Sequence, residues 1–170
     1  LGPPDYPHPV TLLHFQSGGL DGEKNTARVK LVEFLIKEGV DVNAADSTGA
    51  TPFIFCALKD HTELCKMLVR RGANPRVVRM SDGVTALHIT AQNGRIDAVR
   101  YLVEDCGLDV NAMTTDDHLE TPLCLTAGYG YLEVCKYLLS KGAQIDKGRQ
   151  PLTFAAQVEL LFLICLEWLL

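Results

Sequence analysis

Apolar positions fall into two kinds of short run that alternate along the chain. One kind opens on Thr: TLLHF from Thr11, TPFIFCA from Thr51, TALHITA from Thr85 and TPLCLTA from Thr121, with a fifth, QPLTFAA, from Gln150. The other kind is longer and ends in Gly: VKLVEFLIKEGVDVNA (29–44), ELCKMLVRRGANPRV (63–77), DAVRYLVEDCGLDVNA (97–112) and EVCKYLLSKGAQID (133–146). Its glycines stand at 39, 72, 107 and 142, at intervals of 33, 35 and 35. Two independent markers thus share one period, the signature of a repeat architecture. Within a unit, Val29, Val32, Leu35 and Ile36 have helical spacing. Thr before Pro at 51–52 and 121–122 suits a helix start, with Thr as cap and Pro in the first turn. Gly39, Gly72, Gly107 and Gly142 then end the second helix in a left-handed cap. Each unit is predicted as helix, turn, helix, hairpin.

Gly83-Val84-Thr85-Ala86-Leu87-His88, Gly39-Val40-Asp41-Val42-Asn43-Ala44 and Leu108-Asp109-Val110-Asn111-Ala112 together resemble the ankyrin repeat over nearly the whole chain. The resemblance implies an all-α solenoid of helix-turn-helix units joined by β-hairpin loops. It divides the chain into a Pro-rich leader (1–9), units 10–46, 47–79, 80–113 and 114–147, and a degenerate unit 148–170. Several segments depart from the pattern. Unit one carries extra polar residues in SGGLDGEKNTA (17–27), expected as a longer loop. Unit three has one extra residue near Cys106. Unit four has a longer hairpin at 114–118 and Leu119 where Gly is usual. Unit five has lost most of its hairpin. Its tail, VELLFLICLEWLL (158–170), is apolar on nearly every face, where a terminal repeat should be polar outside. That tail either packs on something else, swaps with another chain or forms an unusual cap, and the protein is otherwise expected to be monomeric.

Composition narrows the function without naming it. A length of 170 residues suits one compact domain or one short solenoid, and a net charge of −5 argues against general nucleic-acid binding. Residues 1–9 hold four prolines and no signal-peptide pattern, and the missing initial Met suggests a fragment or processed product. No apolar run is long enough to cross a bilayer. Cys56, Cys65, Cys106, Cys124, Cys135 and Cys165 form no CxxC or close metal-ligand pair. They read as small buried apolar groups in a reduced, cytoplasmic or nuclear setting.

The chemistry of a catalyst is missing from the motifs. A Cys/His nucleophile pair would need an orienting third group and an oxyanion pocket, and nothing in the sequence signals either. Gly128-Tyr129-Gly130 ends a helix and is no phosphate cradle. No cofactor is expected. The resemblance gives His14 and His88 the structural role of the TPLH histidine, and Cys124 occupies that position in unit four. Arg70, Arg71, Arg76 and Arg79 have two readings: helix-end and hairpin residues, or a patch for an acidic peptide or phosphate. Asn43 and Asn111 are expected to bond across their hairpin turns. The resemblance also implies Asn43 as a substrate of the factor-inhibiting asparaginyl hydroxylase, with Leu35 eight residues upstream; Asn111 has Val103 there.

The implied function is binding of a partner protein or peptide on a concave face of hairpins and first helices. The candidate residues are Ser47, Thr48, Ala50, Leu58 and Lys59 in unit two, Ser81, Asp82, Val84, Gln92 and Asn93 in unit three, and Asp117, His118, Glu120, Gly128 and Tyr129 in unit four. Leu58 and Tyr129 suit contact anchors if exposed, although each also suits packing on the next unit. Asp82, Asp116, Asp117 and Glu120 favour a basic partner segment. The alternative is a regulatory or targeting ankyrin segment of a larger enzyme, channel or ubiquitin-ligase adaptor.

Overall fold

The structure, a computed structural model, describes residues 24–148 except Asp146. For residues 24–28 only the helical backbone is described. The Pro-rich leader, the segment around His14 predicted as the first helix of unit one, and the apolar tail with Cys165 lie outside the described residues.

Seven helices are described: α1 (Lys24–Lys37), α2 (Pro52–Leu58), α3 (Thr62–Arg70), α4 (Ala86–Gln92), α5 (Ile96–Glu104), α6 (Pro122–Gly128) and α7 (Leu132–Ser140). Helices α2 with α3, α4 with α5, and α6 with α7 form the pairs of units two, three and four. The first helices stack in one row, α4 between α2 and α6, and the second helices α3, α5 and α7 in another. The core runs between the rows and repeats with the units: Leu68, Leu102 and Leu138 are fully buried, and Cys65, Val99 and Cys135, three places before them, are buried as well. Each unit therefore buries its apolar stripe mainly against its own partner helix and its neighbour.

Helix α1 already includes Lys24–Ala27, which the sequence assigned to a loop. Lys and Ala are good helix formers, and no Gly or Pro follows Gly22 to stop them. The predicted glycine stops hold. Gly39, Gly72, Gly107 and Gly142 all have positive φ. Behind Gly72 and Gly142, the N–H groups of Ala73 and Ala143 reach back to the Leu68 and Leu138 carbonyls at 2.9 and 3.0 Å. Unit three reaches one residue further, from the Leu108 N–H to the Leu102 carbonyl, because of the extra residue at Cys106.

The hairpin loops contain almost no β ladder. Among the described residues, the one bridge pairs Val78 with Thr85. Side chains hold the tips instead. Asp46 accepts from the Thr48 and Ala50 N–H groups, and Asp116 accepts from the Thr114 hydroxyl and the His118 and Leu119 N–H groups. The Thr114 hydroxyl also holds Asp116 below the usual carboxylate range. Leu119, in the usual Gly position, is forced to a φ of 49°.

Candidate binding face

Each first helix starts on its motif Thr, and the residue three places later decides how that start is held. In unit three, the Thr85 Oγ1 lies 2.8 Å from His88 Nδ1, and the Thr85 N–H donates to the same nitrogen at 3.2 Å. That leaves Nε2 as the protonated ring nitrogen, shared between the Ala112 and Glu120 carbonyls at 3.1 and 3.2 Å. His88 is fully buried, and burial lowers its pKa. It thus joins its own helix start to the hairpin of unit four, the structural role the resemblance implied. In unit four, Cys124 makes the weaker bond, accepting from the Thr121 hydroxyl at 3.2 Å. In unit two the position is Ile54, and the buried Thr51 hydroxyl has no partner.

Between units, one side chain per junction reaches forward to the next helix end. Asn43 donates to the Gly72 carbonyl at 2.9 Å and accepts from the Asn74 N–H at 2.7 Å. Asn111 repeats this with the Gly142 carbonyl and the Gln144 N–H at 3.0 and 2.7 Å. These asparagines do not bond across their own turns, as the sequence suggested. The stacking brings the next unit's unpaired helix-end carbonyl within reach of the amide. Unit two has Arg76 in this place, and its guanidinium donates to the Cys106 carbonyl at 3.0 Å. Gly107 suits the place by its left-handed φ of 63°, and a Cβ there would lie 2.9 Å from that guanidinium and displace it.

The four arginines therefore form no joint patch. Arg71 pairs with Glu33 at 3.1 Å, Arg76 is spent on Cys106, and Arg79 pairs with Asp82. The Arg79 guanidinium holds the Asp82 carboxyl below the usual carboxylate range. Arg70 is an exposed cation in the last turn of α3.

The predicted contact residues separate on the same physical grounds. Ala50 is buried, because the turn closes its N–H onto Asp46. Leu58 and Val84 are half-buried against the core, so neither is a free apolar anchor. Asp82 is neutralised by Arg79. Glu120 is half-buried, with its N–H donating to Thr114 and its carbonyl accepting from Thr114 and His88. Asn93 turns back onto the Ile89 carbonyl at 2.8 Å. Ser47, Thr48, Lys59, Ser81, Asp117, His118 and Gly128 are exposed.

Gln92 and Tyr129, from adjacent units, meet: the amide donates to the phenol oxygen at 3.1 Å. Tyr129 remains 59 % exposed. The sequence missed the apolar residues Val78, Met80 and Met113, which are also exposed, Met80 at 96 %. Met80 stands five places before its Thr, where Asp46 and Asp116 fold inward to close the other tips. An apolar residue at a turn position otherwise filled by Asp was the signal available in the sequence.

Among the described residues, no group of three or more His, Cys, Asp or Glu side chains is placed to hold a metal ion, and no helix is long and apolar enough to cross a membrane. Comparison with known proteins gives the following. The family model described as ankyrin repeats (3 copies) matches residues 24–114, and that for a single ankyrin repeat matches residues 118–148. Alpha-latrocrustotoxin-Lt1a of Latrodectus tredecimguttatus is 30 % identical over 76 % of this chain and 9 % of its own length. Protein lin-12 of Caenorhabditis elegans is 29 % identical over 89 % of this chain and 12 % of its own. Ankyrin repeat and SOCS box protein 3 of Homo sapiens is 33 % identical over 56 % of this chain and 18 % of its own. The matched region is thus a small part of each of these longer proteins.

Proposed function

This chain belongs to the ankyrin-repeat family, and from that premise we propose that it binds a partner protein or peptide on the face formed by its first helices and hairpin tips, with no bond chemistry of its own. The observation that carries this reading is the Gln92–Tyr129 pair. A large aromatic ring stays exposed while its hydroxyl is held by the neighbouring unit. Such a ring presents apolar area at little further entropic cost, as contact anchors do. Lys59 and Met80 extend the same reading to units two and three.

The experiment is recovery of binders on the immobilised chain, with the variant Tyr129→Glu/Lys59→Glu beside it. Loss of the recovered partner with an unchanged thermal melt supports the face. Undiminished recovery by the variant overturns it. Leu58 is left unchanged, because altering it would disturb the core.

A second reading rests on the small share of each relative that the chain spans: it serves as the targeting or regulatory segment of a longer protein. A cytoplasmic or nuclear location belongs with both readings, and imaging of the tagged protein tests it. Hydroxylation of Asn43 is tested by a gain of one oxygen on its peptide after coexpression with the hydroxylase. That reaction has to open the Asn43 bonds to Gly72 and Asn74 first.

A further inference from the structure

In units two, three and four, two equivalent positions lie on the helix pair, one on the first helix and one nine residues later on the second. Unit three fills them with Thr90 and Val99, unit four with Thr126 and Cys135. All four are buried, and each Thr turns its hydroxyl onto its own helix: Thr90 onto the Ala86 carbonyl and Thr126 onto the Pro122 carbonyl. Unit two fills both positions with sulfur. Cys56 and Cys65 are buried, and their Sγ atoms lie 2.9 Å apart. A disulfide has sulfurs about 2.05 Å apart, so little movement separates the pair from a bond.

The rest of unit two is held less firmly than its neighbours. Its first helix starts on Thr51 without a side-chain cap bond, and the Thr51 hydroxyl is unpartnered. Its inter-helix turn uses Asp60 at a φ of 60°, where units three and four use Gly94 and Gly130. Asp60 Oδ1 is also buried without a partner. In a stacked array a unit with weak internal bonding opens at lower cost than its neighbours.

We infer that Cys56 and Cys65 are a reversible redox latch, closing to a disulfide between α2 and α3 when unit two opens to a low-molecular-weight disulfide such as oxidised glutathione. One protein thiol loses its proton and attacks the small disulfide. The small S–S bond breaks, a mixed disulfide forms, and one small thiolate leaves and takes up a proton. The second protein thiol, also deprotonated, attacks the protein sulfur of the mixed disulfide. The Cys56–Cys65 bond forms and the second small thiol departs. Two protein thiols are oxidised by two electrons, and one small disulfide is reduced to two thiols. Burial pushes the Cys56 thiol up, so opening and not collision sets the rate. Cys135 has no sulfur at the facing position, which is Thr126, and serves as the internal control.

The test incubates the full chain with oxidised glutathione and follows intact mass, peptide cross-links and thermal melting. The variant Cys56→Thr/Cys65→Val installs the pair of unit three and so keeps a packing the fold already uses. The wild type is expected to lose the mass of two hydrogens, yield a Cys56–Cys65 cross-linked peptide and melt several degrees higher, all reversed by dithiothreitol. Urea below the unfolding midpoint should accelerate the reaction. The variant should show neither the mass loss nor the shift. A wild type that stays reduced in mild urea, that carries only glutathione adducts, or that cross-links other cysteines overturns the inference. An equal mass loss in the folded variant overturns it as well.

Discussion

Thr85 Oγ1 and His88 Nδ1 lie 2.8 Å apart, and this one contact sets unit three apart from unit two. With Ile54 in the histidine position, Thr51 keeps the same extended backbone but loses its partner. An unmatched buried hydroxyl costs about 1–3 kcal/mol of desolvation, whereas a matched one contributes about 1 kcal/mol. The same substitution should then act in opposite directions. Thr51→Val is expected to leave stability unchanged or raise it by about 1 kcal/mol, and Thr85→Val to lower it by about 1–2 kcal/mol. Urea unfolding of both variants checks this; equal losses would show that the Thr51 hydroxyl is satisfied in solution.

His88 also predicts a pH dependence. Its folded pKa is lowered below 6.5, first by burial, and both ring nitrogens are already committed in the neutral form. The unfolded chain therefore takes up this proton more readily than the folded chain. The contribution of His88 to stability is full above its unfolded pKa and is lost as pH falls through that value toward the folded one. Melting midpoints should drop between about pH 7.5 and about pH 5.5. His88→Cys, which copies unit four, should lower stability at neutral pH and flatten that drop. A slope that persists unchanged in the variant would move the effect to another group.

Among the described residues, two that are not glycine occupy left-handed backbone: Asp60 at a φ of 60° and Leu119 at 49°. That conformation costs a non-glycine residue roughly 1–2 kcal/mol, partly offset by the greater freedom glycine has in the unfolded chain. Asp60→Gly and Leu119→Gly are each expected to stabilise by up to about 1 kcal/mol. The reverse change, Gly94→Asp, should destabilise by about 1–3 kcal/mol, because its Cβ would lie 2.5 Å from the Tyr131 ring. Melting of the three variants decides the matter.

The junction bonds predict a third stability series. Asn43→Ala and Asn111→Ala each remove two bonds between units and expose a helix-end carbonyl, at an expected cost of about 1–2 kcal/mol. Arg76→Ala should cost about 1 kcal/mol or less, since its bond is single and its side chain exposed. Amide hydrogen exchange should show the loss concentrated at the affected junction. Uniform loss along the chain would mean that the units do not open separately.

The period, the helices and their glycine stops were legible in the sequence because each depends on residues close together in the chain. Apolar spacing defines a buried stripe, and a glycine ends a helix whatever lies beyond it. Tyr129 was likewise legible as a candidate contact, since an aromatic at the end of a short first helix is conspicuous. Leu58 and Ala50 were not legible as covered, because their exposure depends on the neighbouring turn and core. The same holds for every partner about one unit away: Asn43 with Gly72, Arg76 with Cys106, Gln92 with Tyr129. Stacking brings those atoms together, and the side chain that the next unit offers decides whether a given polar group is spent or free. Cys56 and Cys65 show the division most plainly. Nine residues apart, they match no metal or disulfide motif in the sequence; only the folding of α3 back onto α2 makes them neighbours.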